Sequence, residues 1–439
     1  MHSHSLSFLL SFPSKTLSNK QTNKTNNTKQ NYLTTQHNIM RALAYFGKND
    51  IKFTNDLPEP TISAPDEMII DVSWCGICGT DLHEFQDGPI FFPHDGCCHE
   101  ISGEGLPQAM GHEIAGTIIE CGPGVTKFKV GDRVVVEPTG TCKDRYRWPN
   151  SPNVDKEPCA ACKKGLYNIC SNLGLVGAGV QSGGFAERLV MNERQCYKVP
   201  DHMSMDVAAL IQPIAVSWHA VRVSKFKKGA SVLIVGAGPI GLGTILALNG
   251  HGVSEVVVSE PAKIRRDFAE KMGAIVYDPS AKDHDESIKY LRSIAPGGDG
   301  FDYAFDCSGN PATLKAAIEC LTFRGTAVNV AIWGNKPVNF LPMDLTYQEK
   351  SYTGSMCYTF HDFEAVINAF EKKLIDVEKA RHMITGKVPI ENGVKDAILR
   401  LITHKEQTIK IILTPNNHGE LGEEPEQKKK RSFKGKTLK

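Results

Sequence analysis

Short apolar runs closed by glycines recur along this chain, and the clearest of them lies between Ser231 and Glu260. Val232–Val235 is a continuous, β-branched apolar run, as suits a strand buried on both faces of a parallel sheet. Gly236, Gly238 and Gly241 follow in G-x-G-x-x-G spacing, Ile240–Leu248 reads as a helix, and Val256–Val258 as a second buried strand. Residues 301–309 and 325–334 continue the strand pattern. Asp362–Phe370 and Val394–Ile402 read as amphipathic helices, and Thr408–Leu413 as a closing strand. Upstream, the sequence is strand-like from Met40, with strands read at Met68–Trp74 and in Gly183–Val190.

The glycine unit implies dinucleotide binding. Its glycines suit a tight turn, close backbone approach to a pyrophosphate, and close helix–strand packing. Pro239 and Ile240 then open a helix whose free N–H groups and dipole favour phosphate. Glu260 closes the second strand about where a carboxylate meets the adenosine ribose diol, which favours NAD over NADP. Arg265 and Arg266 follow closely and leave NADP open. FAD is the competing ligand, but flavin enzymes usually carry this fingerprint near the N-terminus. Here it sits mid-chain, so what precedes it should handle substrate.

Composition narrows the classes. Net charge is +1 over 439 residues, which gives no electrostatic case for a nucleic-acid or membrane surface. No apolar run approaches the roughly 18 residues of a membrane span. Thirteen cysteines, an odd number, argue for reduced thiols and metal sites, and hence for a cytoplasmic protein. Residues 1–39 hold no Asp, Glu or arginine and read as a disordered extension. Phe8-Leu9-Leu10 is too short for a signal-peptide core. Residues 416–439 read as a disordered charged tail, where Lys428–Arg431 is a solvated run or a nuclear-localisation signal.

Two groups of residues carry metal chemistry. Cys75-x-x-Cys78 could be a redox pair or half a zinc site, but no helix pattern follows closely. Cys78, Thr80 and His83 therefore read as a thiolate, a hydroxyl and an imidazole on one loop. His112 and Glu113 lie in a glycine-framed G-H-E-x-x-G segment that would hold the imidazole rigidly as a ligand. Cys142, Cys159, Cys162 and Cys170, within a loop spanning 142–170, fit a closed tetrahedral zinc that staples it.

In order, CGICGTDLHE, GHEIAG…GPGV, VGDRV, GGFAE and GAGPIG resemble the zinc-containing medium-chain dehydrogenase/reductase family, over roughly Met40 to Pro415. Within it, PTGTCKDRYRW and IKIILTPNNHGE are similar to (R,R)-butanediol dehydrogenases and their paralogues. The resemblance implies an α/β fold: a GroES-like, mainly-β catalytic domain (40–205, resumed at 346–415) around a Rossmann, doubly wound NAD-binding domain (206–345). It implies two zincs per chain. Cys78 and His112 would bind the catalytic one, with Glu113 as ligand or close carboxylate; Cys142, Cys159, Cys162 and Cys170 would bind the structural one. Thr80 would accept the alcohol proton and pass it through the nicotinamide ribose to His83 and solvent. Gln212 departs from the glutamate of polyol-oxidising relatives, so Glu113 or water should take that coordination place. The implied reaction is alcohol–ketone interconversion, with 2,3-butanediol and acetoin as substrates and a homo-oligomer, dimer or tetramer, as the assembly. Sorbitol, xylitol or threonine oxidation is the near alternative. A non-catalytic cofactor-binding protein with a degraded zinc site is the distant one. Lys410 is expected to reach a cofactor phosphate or to solvate its strand.

Overall fold

Six strands between Val232 and Gly354 form one all-parallel sheet. Its order is Ile275–Tyr277, Val256–Ser259, Val232–Val235, Phe301–Asp306, Leu321–Asn329, Ser351–Gly354. The chain enters at a central strand, winds to one edge, then crosses back and winds to the other. The order therefore reverses between Val235 and Asp306, which places a ligand crevice at their carboxyl ends. Val232 and Ile234 pack on one face of the sheet and Leu233 and Val235 on the other, so the continuous apolar run reflects two buried faces. The computed structural model describes residues 39–416 apart from 149, 335 and 336. The readings for residues 1–38 and for the tail from 417 lie outside the described residues, and Ile39 opens the strand Ile39–Gly47.

A seven-stranded, mainly antiparallel sheet carries the rest. Six strands run in the order Cys196–Lys198, Arg133–Val136, Glu113–Cys121, Glu67–Gly76, Lys410–Thr414, Ile384–Pro389, and Arg188–Asn192 pairs with the first half of Glu67–Gly76. The chain leaves this sheet after Lys198, builds the parallel sheet, and returns with its last two strands. Ile412 and Leu413 pair with Gly76 and Cys75, immediately before Cys78. Smaller three-stranded sheets flank it, one of them Thr139–Gly140, Gly174–Val176 and Gly179–Gln181. Among the described residues no helix is long and apolar enough to cross a membrane.

Two readings change. Cys78 to His83 is not a loop: Gly79–Asp87 is a nine-residue helix with Cys78 as its N-cap. Asp81, three residues on, accepts the Cys78 N–H at 2.8 Å and closes a capping box, which offsets the poor helix propensity of Gly79 and Thr80. Val394–Ile402 does coil, but it starts as a wide π turn, Gly393–Ile398, before Leu399–Thr403.

Candidate active site and metal centres

The Gly79–Asp87 helix sets the catalytic geometry. Its cap supplies Cys78, its first turn puts Thr80 Oγ1 3.7 Å from Cys78 Sγ, and one turn later His83 stands 54 % exposed, its Nδ1 3.6 Å from Asp87 Oδ2. His112 precedes the Glu113–Cys121 strand and is buried. Its Nδ1 lies 3.6 Å from Asp81 Oδ1, and neither atom has a hydrogen bond among the described residues. A carboxylate behind one ring nitrogen orients the imidazole and leaves Nε2 to a metal. Burial pushes the Asp81 carboxyl up to about 7, against the pull of His112. Burial also pushes the Cys78 thiol up, Glu113 adds to it, and Lys410 opposes.

Only one oxygen of Glu113 is engaged, and Oε2 is buried without a hydrogen bond among the described residues. Its Oε1 accepts from Lys410 Nζ at 2.6 Å, and Lys410 also donates to the Ile77 carbonyl at 2.9 Å. Oε2 faces Gly76, where an added Cβ would lie 1.9 Å from it. Lys410 is fully buried, so it neither solvates its strand nor extends to a phosphate. Among the described residues, the ligand atoms of Cys78, His112 and Glu113 do not all come within 4.8 Å of one another. Gln212, in the first turn of the helix Ile211–Val223, is also buried, and its Nε2 donates to the Tyr358 hydroxyl at 3.1 Å. Burial pushes that hydroxyl well up, Glu137 and Cys357 add to the effect, and the Gln212 hydrogen bond opposes it. By donor chemistry, Cys78, His112 backed by Asp81, and an oxygen from Glu113 or Gln212 are the groups that could hold a zinc here. Asp81, Tyr358 and the Lys410–Glu113 pair escape sequence reasoning. Only Asp81 had a signal, three residues after a helix cap.

The four cysteines of the 142–170 loop do converge, with all Sγ atoms within 4.8 Å of one another. Backbone N–H groups point at the sulfurs: Cys159 to Cys142 at 3.1 Å, Cys142 to Cys170 at 3.3 Å, Asn172 to Cys170 at 3.4 Å. Backbone donors from Cys162 and Ser171 hold the Cys159 thiol down at about 5, whereas burial and its sulfur neighbours push Cys162 up. Four thiolates this close repel unless a cation sits among them, and the set fits a closed zinc.

At the crevice of the parallel sheet the fingerprint glycines do separate jobs. Gly236 has φ +98°, and a Cβ there would strike Ser308 Oγ at 2.1 Å; one on Gly241 would strike the Gly236 carbonyl at 1.9 Å. Gly238 caps the helix Pro239–Gly250, with Ile240 in its first turn. Above Gly238 is open space, bounded at 3.9 Å by Arg265 Nη1. That cradle fits a pyrophosphate. Glu260 is buried at the strand end, its carboxylate accepting from Ala237 N–H at 2.7 Å and Ala262 N–H at 2.8 Å. Arg266 is turned away, onto the Glu260 carbonyl and Asp278, and Arg265 alone of the two borders the turn. A cavity of ≈ 350 Å³ adjoins, lined by Gly236, Ser259, His284 and Ser308 among others.

Two family models match the chain. Residues 64–201 match the alcohol dehydrogenase GroES-like domain, and residues 239–372 match the zinc-binding dehydrogenase domain. Over 391 residues the chain is 71 % identical to a Saccharomyces cerevisiae protein named probable diacetyl reductase 2, (R)-acetoin forming, covering 89 % of this chain and 94 % of that one. It is 53 % identical to the (R,R)-butanediol dehydrogenase of the same yeast, covering 87 % of this chain and all of the relative. The crystal structure of 2R,3R-butanediol dehydrogenase from Bacillus subtilis superposes with TM-score 0.75 at 34 % identity, over 86 % of this chain and 100 % of that one.

Proposed function

The chain belongs to the zinc-containing alcohol dehydrogenase family, and from that premise we propose that it interconverts a vicinal diol and its α-hydroxyketone, with (R,R)-2,3-butanediol and acetoin as the pair. It is an NAD-linked, zinc-dependent oxidoreductase. The observation that carries the reading is the Gly79–Asp87 helix, which carries a thiol at its cap, a hydroxyl 3.7 Å from that sulfur, and an exposed imidazole one turn on. Zinc at Cys78 and His112 would supply the Lewis acidity that lowers the substrate hydroxyl pKa, and NAD⁺ the hydride acceptor. Thr80 Oγ1 accepts the hydroxyl proton, and His83 delivers it to water. Oxidation of the carbinol therefore releases one proton to solvent for each hydride transferred. Asp81 keeps the His112 ring fixed throughout, and Glu113 keeps the Lys410 charge neutralised.

Supporting a homo-oligomer, Ser351–Gly354 is an edge strand with Tyr352 exposed on it and Phe323 and Tyr347 exposed nearby. Light scattering should give a multiple of the chain mass that Tyr352→Lys lowers; a monomeric native protein would overturn this. All thirteen cysteines are free thiols in the structure, which suits the cytoplasm.

The deciding assay follows NAD⁺ reduction with (R,R)-2,3-butanediol, sorbitol and xylitol, with zinc counted in the same preparation. Fast turnover on the butanediol with two zincs per chain is expected. Faster turnover on sorbitol or xylitol would move the substrate to those polyols. One zinc and no turnover on any of the three would overturn the enzyme reading.

A further inference from the structure

Arg265 and Arg266 are neighbours on the helix Lys263–Lys271, yet their donors go to different kinds of partner. Arg266 Nη2 pairs with Asp278 at 2.8 Å. Arg265 Nη2 donates instead to a neutral acceptor, the Lys405 carbonyl, at 2.7 Å. Its Nη1 lies 3.9 Å from where a Cβ on Gly238 would stand, at the open space over the phosphate turn. Its Nε is buried and makes no hydrogen bond among the described residues. One planar guanidinium thus borders the phosphate cradle and holds a carbonyl 140 residues further along the chain. Lys405 lies in the turn between Leu399–Thr403 and Lys410–Thr414. That turn is closed on the His404 carbonyl by the Gln407 N–H at 3.0 Å and the Thr408 hydroxyl at 2.9 Å. Thr408 and Lys410 are buried. Lys410 Nζ donates to the Ile77 carbonyl at 2.9 Å, and the Ile411 carbonyl accepts from the Ile77 N–H at 3.0 Å. Both contacts fall on the residue immediately before Cys78.

We propose that Arg265 is a positioning residue that couples a dinucleotide phosphate over Gly238 to the docking of residues 404–411, the segment that ends on Ile77. A guanidinium presents its donors in a fixed fork. Nη2 on the carbonyl therefore aims Nη1 at the turn, and a phosphate oxygen on Nη1 fixes Nη2 on the carbonyl. The rotamer freedom of the side chain is then lost once for two contacts. Such coupling is reciprocal: the phosphate steadies the segment, and the docked segment strengthens the hold on the phosphate. This role rests on the reading of the glycine turn as a pyrophosphate cradle. A lysine at 265 would keep the charge, but its single nitrogen cannot span both positions.

The test is amide hydrogen exchange of the full chain, native and Arg265→Lys, with and without NADH, saturation being read from the nucleotide's fluorescence. Amides of residues 236–242 report occupancy of the turn, and those of 404–411 report the segment. In the native protein NADH should slow both sets, the second at least about fivefold, the lower end of the range for coupled sites. Arg265→Lys, with NADH raised until the turn is again protected, should show no slowing at 404–411. Equal slowing by NADH in the two proteins overturns the coupling, even where Arg265→Lys exchanges faster throughout, since Arg265 would then be a structural contact alone. A native protein whose turn is protected while 404–411 is unchanged overturns it without any variant. Saturation with no protection of the turn overturns the cradle reading itself, and this role falls with it.

Discussion

Asp81 does two jobs with one carboxylate: Oδ2 closes the cap on the Cys78 N–H, and Oδ1 stands behind the His112 ring. Asp81→Asn keeps the shape and removes the charge that orients the imidazole. We expect about a 10–100-fold loss of zinc affinity at that site, with the four-cysteine site unchanged. Competition with a chromogenic chelator would show it, and equal affinity would refute the role. Gln212→Glu adds a negative charge and raises the pKa of a hydroxyl at the site. The pH of half-maximal butanediol oxidation should therefore move upward, and the zinc should be held more tightly; no change in either would count against Gln212 facing the metal. At this scale spacing made the four clustered cysteines legible, because ligand chemistry restricts which residues can stand there. Tyr358 and Lys410 were hidden, since each meets its partner across more than a hundred residues.

Elements were legible where burial repeats regularly. The strand Val232–Val235 shows its two buried faces in four letters, whereas the Gly79–Asp87 helix carries weak helix formers and exists by its cap. His112 owes its frame to glycines that no periodicity reveals. Gly177, at φ +81°, would carry a Cβ 2.0 Å from the Gly111 carbonyl, and Gly183 one at 2.2 Å. Gly177→Ala should cost about 2–4 kcal/mol from backbone strain and overpacking combined. The displaced Gly111 should take His112 with it, so zinc should leave this site before the fold melts. Calorimetry with zinc counting would check the order, and a variant as stable as the native protein would contradict it.

Across the whole molecule, the ion cluster at Asp206 ties the start of the central helices to the last third of the chain. Arg381 Nη1 lies 2.6 Å and Lys387 Nζ 2.9 Å from its Oδ2. Burial pushes the Asp206 carboxyl up, but Lys387, Ser204 and Arg381 outweigh it and hold it at about 2. A carboxyl depressed in the folded state stabilises fully above its unfolded value near 4, and that stability disappears as pH falls from about 4 toward 2. Asp206→Asn should lose about 2 kcal/mol at neutral pH and show a flatter decline in acid, measured by denaturant unfolding across that range. An unchanged acid profile would rule the cluster out. The sequence order showed a nucleotide fold set inside another domain's chain, but not which late residue would complete the earlier one.

That late residue is Lys410, in the strand Lys410–Thr414, the last described strand, where it neutralises Glu113 and binds the carbonyl of Ile77 beside Cys78. During synthesis, Cys78, His112 and Gln212 leave the ribosome long before the cation that balances Glu113. The parallel sheet, contiguous from Val232 to Gly354, can close while translation is still under way. A nascent chain can therefore close its nucleotide fold early, yet Glu113 gains its balancing cation only once the strand Lys410–Thr414 has emerged.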